Sequence, residues 1–469
     1  SYIHKKEGKM LSNNEKVINP VDEILPMSKN IMLALQHLLV GVIAAIPVPL
    51  IVGGAAGLDA KEMGFLISAT LFMAGIATIL QSFGVTKYVG AKIPSIMGAS
   101  FAVVTACVHV ITHSENATVG FRTIAGAIMI SGLFCLLAAP IWSKLIKFFP
   151  LVVVGTIVTV IGLSLLPVAM GWAGNFSPEP ARKDVLMALA VFLIVILLNK
   201  FLKGIWASLS VLFALIIGTI VSSFFGFVSL NAVKDAAYIG FDVPFHFGMP
   251  IFDISAIITF LIVMILTMVE VSGSLMGIHR IVGKEIDDKI LTKGLRATGI
   301  AAILAGPFNT VTTTIFAPNV GLIELSKERS RYITATAGVG LLLVSVFPKI
   351  SALITSIPFP VLGGAGFAMF GMVAASGIKI LSGVDYNENN NTLLVALSIG
   401  LSMIPATIPG FYNNFPPLVQ TICGGGITVG ALTAIILNVI FNEIGVKKKV
   451  VKTSSTLEIS EGDLNVENL

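Results

Sequence analysis

The sequence predicts an all-α polytopic membrane protein of about 14 transmembrane segments, two halves of seven related by inversion. Three observations carry that expectation. Charged residues make up only 12% of the 469 residues, while 55% are hydrophobic and the mean hydropathy is +0.94. A water-soluble domain carries about a quarter charged residues, so the missing charge means surface that does not face water. Apolar runs of about 20 residues, enough to cross the hydrocarbon core, recur along most of the chain. The basic residues, finally, concentrate in alternate loops, those on one side of the membrane.

The first half holds runs near 31–53, 62–84, 94–112, 121–141, 149–170, 184–202 and 205–228. The second half holds runs near 252–277, 294–308, 311–325, 331–347, 358–380, 392–408 and 417–441, of which 311–325 is short for a full span. With both termini placed inside, only six of the 30 Lys and Arg fall outside: Lys61, Arg122, Arg182, Lys183, Lys234 and Lys349. That is the positive-inside bias of an even number of spans, and dropping one span scrambles it. The polar N-terminal stretch to about Lys29 carries no signal-peptide pattern, so the first span is expected to act as a signal-anchor. The net charge of +5 reads as basic inside loops rather than as nucleic-acid affinity. Cys107, Cys135 and Cys423 lie in apolar stretches at no metal-ligand spacing and read as free thiols.

The longest inside loop is expected between His279 and Arg296, and a polar outside stretch between Asn231 and Gly248. The Asp385–Asn391 segment lacks the glycine and closing glutamate of a calcium loop and reads as a solvated connector. Asn116 begins a glycosylation sequon on an outside loop, relevant only in a glycosylating host. A faint repeat relates the run starting at Phe149 to that starting at Phe359, and Met97–Phe101 to Ala317–Gly321. With seven spans per half the second copy is inverted, as in secondary transporters built from interrupted helices.

Polar groups at membrane depth are costly and point to function. Glu270 stands in the apolar run LIVMILTMVEVSGS, where an acid needs a proton or a partner. Its two oxygens are suited to gripping adjacent N–H donors of a heterocycle; a structural bond to a neighbouring helix is the plainer role. His37, beside Gln36 in the first span, can orient a site by hydrogen bonding or shuttle protons. His109 reads as an end-of-helix residue. The stretch Gly306–Arg331 is the densest polar patch at membrane depth. Pro318 lacks an N–H and disfavours helix at Ala317, so a short extended break is expected there, in segment 10. Irregular backbone at this depth is tolerated only against protein or a cavity. A half-helix beginning near Asn319 then turns its N-terminal amides into that cavity. Gly98 to Phe101 forms the matching break in segment 3, and Phe101 offers a ring for stacking on a flat substrate.

These residues resemble the nucleobase–ascorbate transporter family. Its signature runs Gln, Glu or Pro, then Asn-x-Gly, four residues, then Thr or Ser and a Lys, Arg or Gly. Pro318 to Lys327 reads PNVGLIELSK. The Gln36-His37 pair, the Gly98–Phe101 segment, Glu270 and the Phe308-Asn309-Thr310 run fit as well, and the resemblance extends from about Met32 to Phe441. The run from Val153 to Trp172 is most similar to bacterial xanthine and uric acid permeases. The resemblance implies a core domain over 30–146 and 251–350 and a gate domain over 147–230 and 351–443. A 231–250 outside linker and cytoplasmic tails at 1–29 and 444–469 complete it. It further implies a homodimer in the cell membrane and elevator-like motion of core against gate. The cargo it implies is a purine, xanthine or uric acid, imported by symport with protons, sodium being the other candidate ion, and no cofactor. By matched position Glu270 anchors the base, Phe101 stacks on it, and the backbone around Ala102 and Ala317 completes the contact, with Asn319 and His37 organising the site. Three positions depart from the usual pattern. Pro318 stands where a Gln or Glu commonly reads the base edge, and Ser274 and Thr298 stand where many microbial members have acids. Pro318 keeps an ascorbate-like or pyrimidine cargo open. An anion exchanger on the same architecture would want a buried Lys or Arg facing the breaks, and the sequence has none there. No HExxH, GxSxG or P-loop sequence favours an enzyme.

Overall fold

The computed structural model describes residues 19–444, apart from 147–148, 285, 317–318, 321, 324–327, 388–389 and 409. Helices dominate, and several begin on side-chain caps that the sequence supplies. The first span is α1 (Met27–Ala45) continued by α2 (Pro47–Ala55). Then come α3 (Ala60–Ser82), capped by Asp59, the short α4 (Val104–Thr112), and α5 (Ala117–Leu145), capped by Asn116. The next group is α6 (Leu151–Ala173), α7 (Arg182–Phe201), α8 (Ile205–Ser208), α9 (Ser210–Phe224) and α10 (Asn231–Asp235). The second half opens on α11 (Ile254–Val282), capped by Asp253, and α12 (Asp288–Ala305), capped by Asp287. It continues through α13 (Arg331–Ser345), α14 (Pro348–Thr355), α15 (Phe359–Leu381), α16 (Asn391–Thr407), α17 (Pro417–Cys423) and α18 (Gly426–Asn438).

Among the described residues seven helices are long and apolar enough to cross a membrane, and eight if α13 and α14, bent by 82°, count as one span. Four apolar helices are shorter: Phe101–Thr112, Ser210–Phe224, Asn391–Thr407 and Gly426–Asn442. With these helices the chain is a multi-pass membrane protein. Two boundaries differ from the sequence expectation. The long inside loop shrinks, because α11 runs on to Val282 and α12 already starts at Asp288. There Gly283, in the left-handed region at φ 71°, ends α11, and Asp287 accepts the Ile290 amide to start α12, so charged residues read as loop are helical. The last run is likewise broken, at the Gly424-Gly425-Gly426 corner between α17 and α18.

Two short strands lie where helices would otherwise cross. β1 (Met97–Ala99) and β2 (Thr313–Ile315) pair antiparallel, with Met97 opposite Ile315, Gly98 opposite Thr314 and Ala99 opposite Thr313. Further bonds from Ser100 N to the Thr312 carbonyl (2.8 Å) and from Phe316 N to the Ile96 carbonyl (2.9 Å) extend the ladder. Thus a broken segment in each half satisfies the other's backbone, which lets non-helical chain persist in a buried setting. Gly98 is required by proximity: a Cβ there would lie 2.5 Å from the Ala44 Cβ. β2 sits upstream of Pro318, the residue used to place the break from the sequence. The β-branched Thr313-Thr314-Ile315 run supplies the extended preference, and helical turns resume at Asn319.

The helices sort into two packing groups. One joins α5 with α11 and α12, and α3 with α12, α13 and α14, with α1 on α13; the other joins α6 and α7 with α15, and α6 with α16 and α18. Both strands pack with the first group, against α1, α3, α11 and α12. One end of this group is strapped by the segment before α11. His246 pairs with Glu62 at 2.8 Å and stacks on Phe65, while Arg122 Nε donates to the Met249 carbonyl at 2.8 Å. The Ser68 hydroxyl lies 2.7 Å from the Ser345 carbonyl and 3.0 Å from Asp242 Oδ2. That hydroxyl has one proton to give, so it serves either the Ser345 carbonyl or the Asp242 carboxylate. Burial pushes the Asp242 carboxyl up to about 6, against the Ser68 hydrogen bond and the His246 charge, which pull it down. The folded state therefore holds the Asp242 proton more tightly than the unfolded chain. The resulting stability is complete below the ordinary carboxylate range and is lost as pH rises through about 6. Asp242→Asn should flatten that part of the pH dependence, as thermal unfolding followed between about pH 4 and 7 will show.

Candidate functional site

The crossing of β1 and β2 gathers polar groups contributed by four separate elements. From α1, His37 is buried at 3% exposure and its Nδ1 lies 2.6 Å from Asn319 Oδ1, 282 residues away in sequence. Asn319 is itself fully buried, and its Nδ2 donor has no partner. From α11, Glu270 presents a carboxyl whose Oε2 is buried without a hydrogen-bond partner. Thr314 of β2 is the polar side chain beside this carboxyl; Thr313, next to it in the strand, points to the other face, and its hydroxyl has no partner. Gln36 Oε1 is also buried and unpartnered.

Most hydroxyls in these helices are satisfied locally. Thr267 bonds the Val263 carbonyl at 3.1 Å and Ser272 the Met268 carbonyl at 2.6 Å, each one turn back. At this crossing a carboxyl oxygen, the Thr314 hydroxyl and a carboxamide lack such a local partner. An unmade hydrogen bond in a buried site costs about 1–3 kcal/mol, so a group of them is retained where a ligand completes it.

An aromatic wall closes one side. The Phe101 ring, buried at 7% exposure, meets Phe370 of α15 edge-on at 5.8 Å, and Phe370 in turn lies 6.1 Å from Trp172 of α6. Phe101 opens the 3₁₀ turn Phe101–Val103 that leads from β1 into α4. The fully buried Ala102 donates its amide to Ser100 Oγ at 3.3 Å, a long bond that caps the turn. Ala317 and Pro318 lie outside the described residues.

Other residues singled out in the sequence fall elsewhere. Thr310 bonds Thr70 of α3 at 2.8 Å, three residues before β2 begins, and helps hold the crossing to α3. Thr298 is buried and turned back to the Gly294 carbonyl of its own helix at 3.4 Å. Ser274 is half-buried on α11, one turn beyond Glu270. Thr313, Thr314 and Phe370 were not individually marked by the sequence reading. The triple threonine preceding Pro318 was the available signal for the first two; Phe370 carried none, being one phenylalanine in an apolar helix. Cys107 and Cys135 are buried free thiols, and Cys423, also free, is partly buried at the end of α17. Among the described residues no three His, Cys, Asp or Glu side chains group to hold a metal ion.

Comparison with known proteins follows the same direction. A family model described as a permease family matches residues 28–411. The chain is 36% identical to the uric acid transporter UacT of Escherichia coli over 459 residues, 97% of this chain and 94% of that protein. It is 40% identical to the uric acid permease PucK of Bacillus subtilis over 413 residues, 87% of this chain and 95% of that one. A Bacillus subtilis xanthine permease is 36% identical over 92% of this chain and 98% of its own length. Among solved structures, the transmembrane domain of the cyanobacterial bicarbonate transporter BicA superposes with a TM-score of 0.60 at 17% identity, covering 88% of this chain and 99% of that one. The structure of SLC26A9 gives 0.58 at 12% identity, covering 89% and 66%. At such identities these two establish a shared transporter fold and nothing about cargo.

Proposed function

The chain belongs to the nucleobase–ascorbate transporter family, and from that premise we propose that it imports a purine nucleobase, xanthine or uric acid, by cation symport. It is a permease and not an enzyme. The observation that carries the cargo reading is the set of polar groups at the strand crossing: Glu270 Oε2, the Thr314 hydroxyl beside it and the free Asn319 Nδ2. A purinedione offers adjacent ring N–H donors for a carboxylate and carbonyl oxygens for hydroxyl and amide donors. Its flat face suits the ring of Phe101. The names of the relatives at 36–40% identity, uric acid and xanthine permeases, support the same cargo.

In this reading Glu270 anchors the base and Phe101 stacks on it, with backbone near Ala102, Ala317 and Pro318 beside it. Asn319 contributes its free amide while His37 holds that amide in orientation. Gln36, Ser274, Thr298 and Thr310 act at one remove. Protons are the coupling ion we favour, with Glu270 the group that takes them up; sodium is the alternative. The two packing groups support a core domain (30–146 and 251–350) moving as an elevator against a gate domain (147–230 and 351–443). The antiparallel pairing of one strand from each half supports the fourteen-segment inverted repeat. Charge bias supports cytoplasmic termini, and the family's pattern supports a homodimer in the cell membrane.

Counterflow tests the cargo without depending on the ion. Proteoliposomes preloaded with unlabelled xanthine should transiently accumulate labelled xanthine, and external uric acid should suppress this whereas ascorbate and bicarbonate should not. Suppression by ascorbate or a pyrimidine, with uric acid inert, would reassign the cargo and make Pro318 the residue to follow.

A further inference from the structure

A cavity of about 570 Å³ lies between α4, α6 and the α16–α18 region, separate from the Glu270 site. Its polar side is built rather than incidental. Thr105 and His109 stand four residues apart on one face of α4, and Ser164 reaches in from α6. The Thr105 and Ser164 hydroxyls have no hydrogen-bond partner, and Ser164 is only 7% exposed. All three side chains converge on the glycine corner between α17 and α18. A Cβ at Gly424 would lie 3.5 Å from His109 Nδ1, one at Gly425 2.8 Å from Thr105 Oγ1, and one at Gly426 3.1 Å from Ser164 Oγ. The glycines let the α17–α18 corner pack directly against these groups, so neither hydroxyl is satisfied by a side chain there. The facing wall includes the buried ring of Trp172.

The cavity adjoins the strand crossing through rings. Trp172 lies against Phe370, and Phe370 against Phe101, which stands one helical turn before Thr105.

We propose that this cavity is a second, weaker binding position for the same flat heterocyclic cargo. Thr105, His109 and Ser164 hold its polar edge and Trp172 its face before it passes Phe101 and Phe370 to reach Glu270. Two open hydroxyls and an imidazole match a ring bearing both N–H and C=O groups. The volume lies within the range of small-molecule pockets and admits a two-ring heterocycle with accompanying water. The proposal rests on the purine reading of the Glu270 site.

Equilibrium dialysis of the purified full-length chain with labelled xanthine separates the two ideas. Wild type should bind two xanthines per chain, one tightly and one about tenfold or more weakly. Glu270→Gln should lose the tight site and keep the weak one. Thr105→Val combined with Ser164→Ala should keep the tight site and weaken the other about tenfold or more. Thr105→Ser, which restores a hydroxyl, should bind like wild type. Occupation of the weak site should also quench tryptophan fluorescence in a manner lost in Trp172→Phe, a readout available if the double variant does not fold. One xanthine per wild-type chain and none with Glu270→Gln would overturn the second site and leave the purine reading intact. No xanthine bound by wild type would instead overturn the purine reading, and this proposal with it.

Discussion

Glu270→Gln is expected to reduce xanthine uptake at least about 100-fold while leaving the protein no less stable. The size follows from the bonds lost: a hydrogen bond to a charged group contributes about 1.5–3 kcal/mol, and the carboxylate is read as making two. Glutamine keeps one acceptor but turns an N–H₂ toward a ligand that offers N–H, so a repulsive contact replaces the second bond. The folding side has the opposite sign. Glu270 Oε2 is buried with no partner, and replacing an unpaired buried acid with a neutral amide removes a desolvation cost. Uptake into proteoliposomes, together with thermal unfolding in detergent, reads both quantities. A variant that transports normally would remove Glu270 from the site, and one that loses transport only by unfolding would make it structural.

Asn319→Ala carries the second large effect, expected in transport and stability together. It deletes the free Nδ2 donor and the Oδ1 atom that meets His37 at 2.6 Å. The His37 ring is then left buried without its partner, at a cost of about 1–3 kcal/mol. Transport efficiency should fall about 10- to 100-fold, since the cargo also loses a polar contact. His37→Leu makes the comparison informative. It should lower stability comparably but transport less, because in this account His37 orients Asn319 without touching cargo. Equal transport losses would place the imidazole on the cargo as well.

The fold was legible where local chemistry decides it. Apolar runs give the spans within a few residues of α3, α6, α7, α13 and α15. It was less legible where a charged stretch is helical because of a cap, as at Asp287. The strand before Asn319 was not marked either, since Pro318 shows only where helix is disfavoured. The paired strand instead follows the β-branched Thr313-Thr314-Ile315 run and needs Met97–Ala99 as its partner.

The site divides in the same way. Glu270 stands out because an acid in an apolar span is costly wherever it points. A threonine in such a span is ordinarily satisfied by its own helix, as Thr267 is, so Thr313 and Thr314 gain meaning only from the strand that denies them that bond. His37 and Asn319 were each marked, yet their contact spans 282 residues and could be known only from the folded chain. Phe370 enters through the packing of α15 near the first-half break and had no signal of its own.

The central claim is that the open polar groups at the strand crossing hold a purine that moves with a coupling ion. Its most direct test is uptake of labelled xanthine into proteoliposomes carrying the purified protein under an inward proton gradient. The account predicts accumulation above the external concentration that collapses when a protonophore dissipates the gradient and is blocked by uric acid. Absence of xanthine uptake in vesicles shown to contain folded protein, under proton and sodium gradients alike, would contradict it.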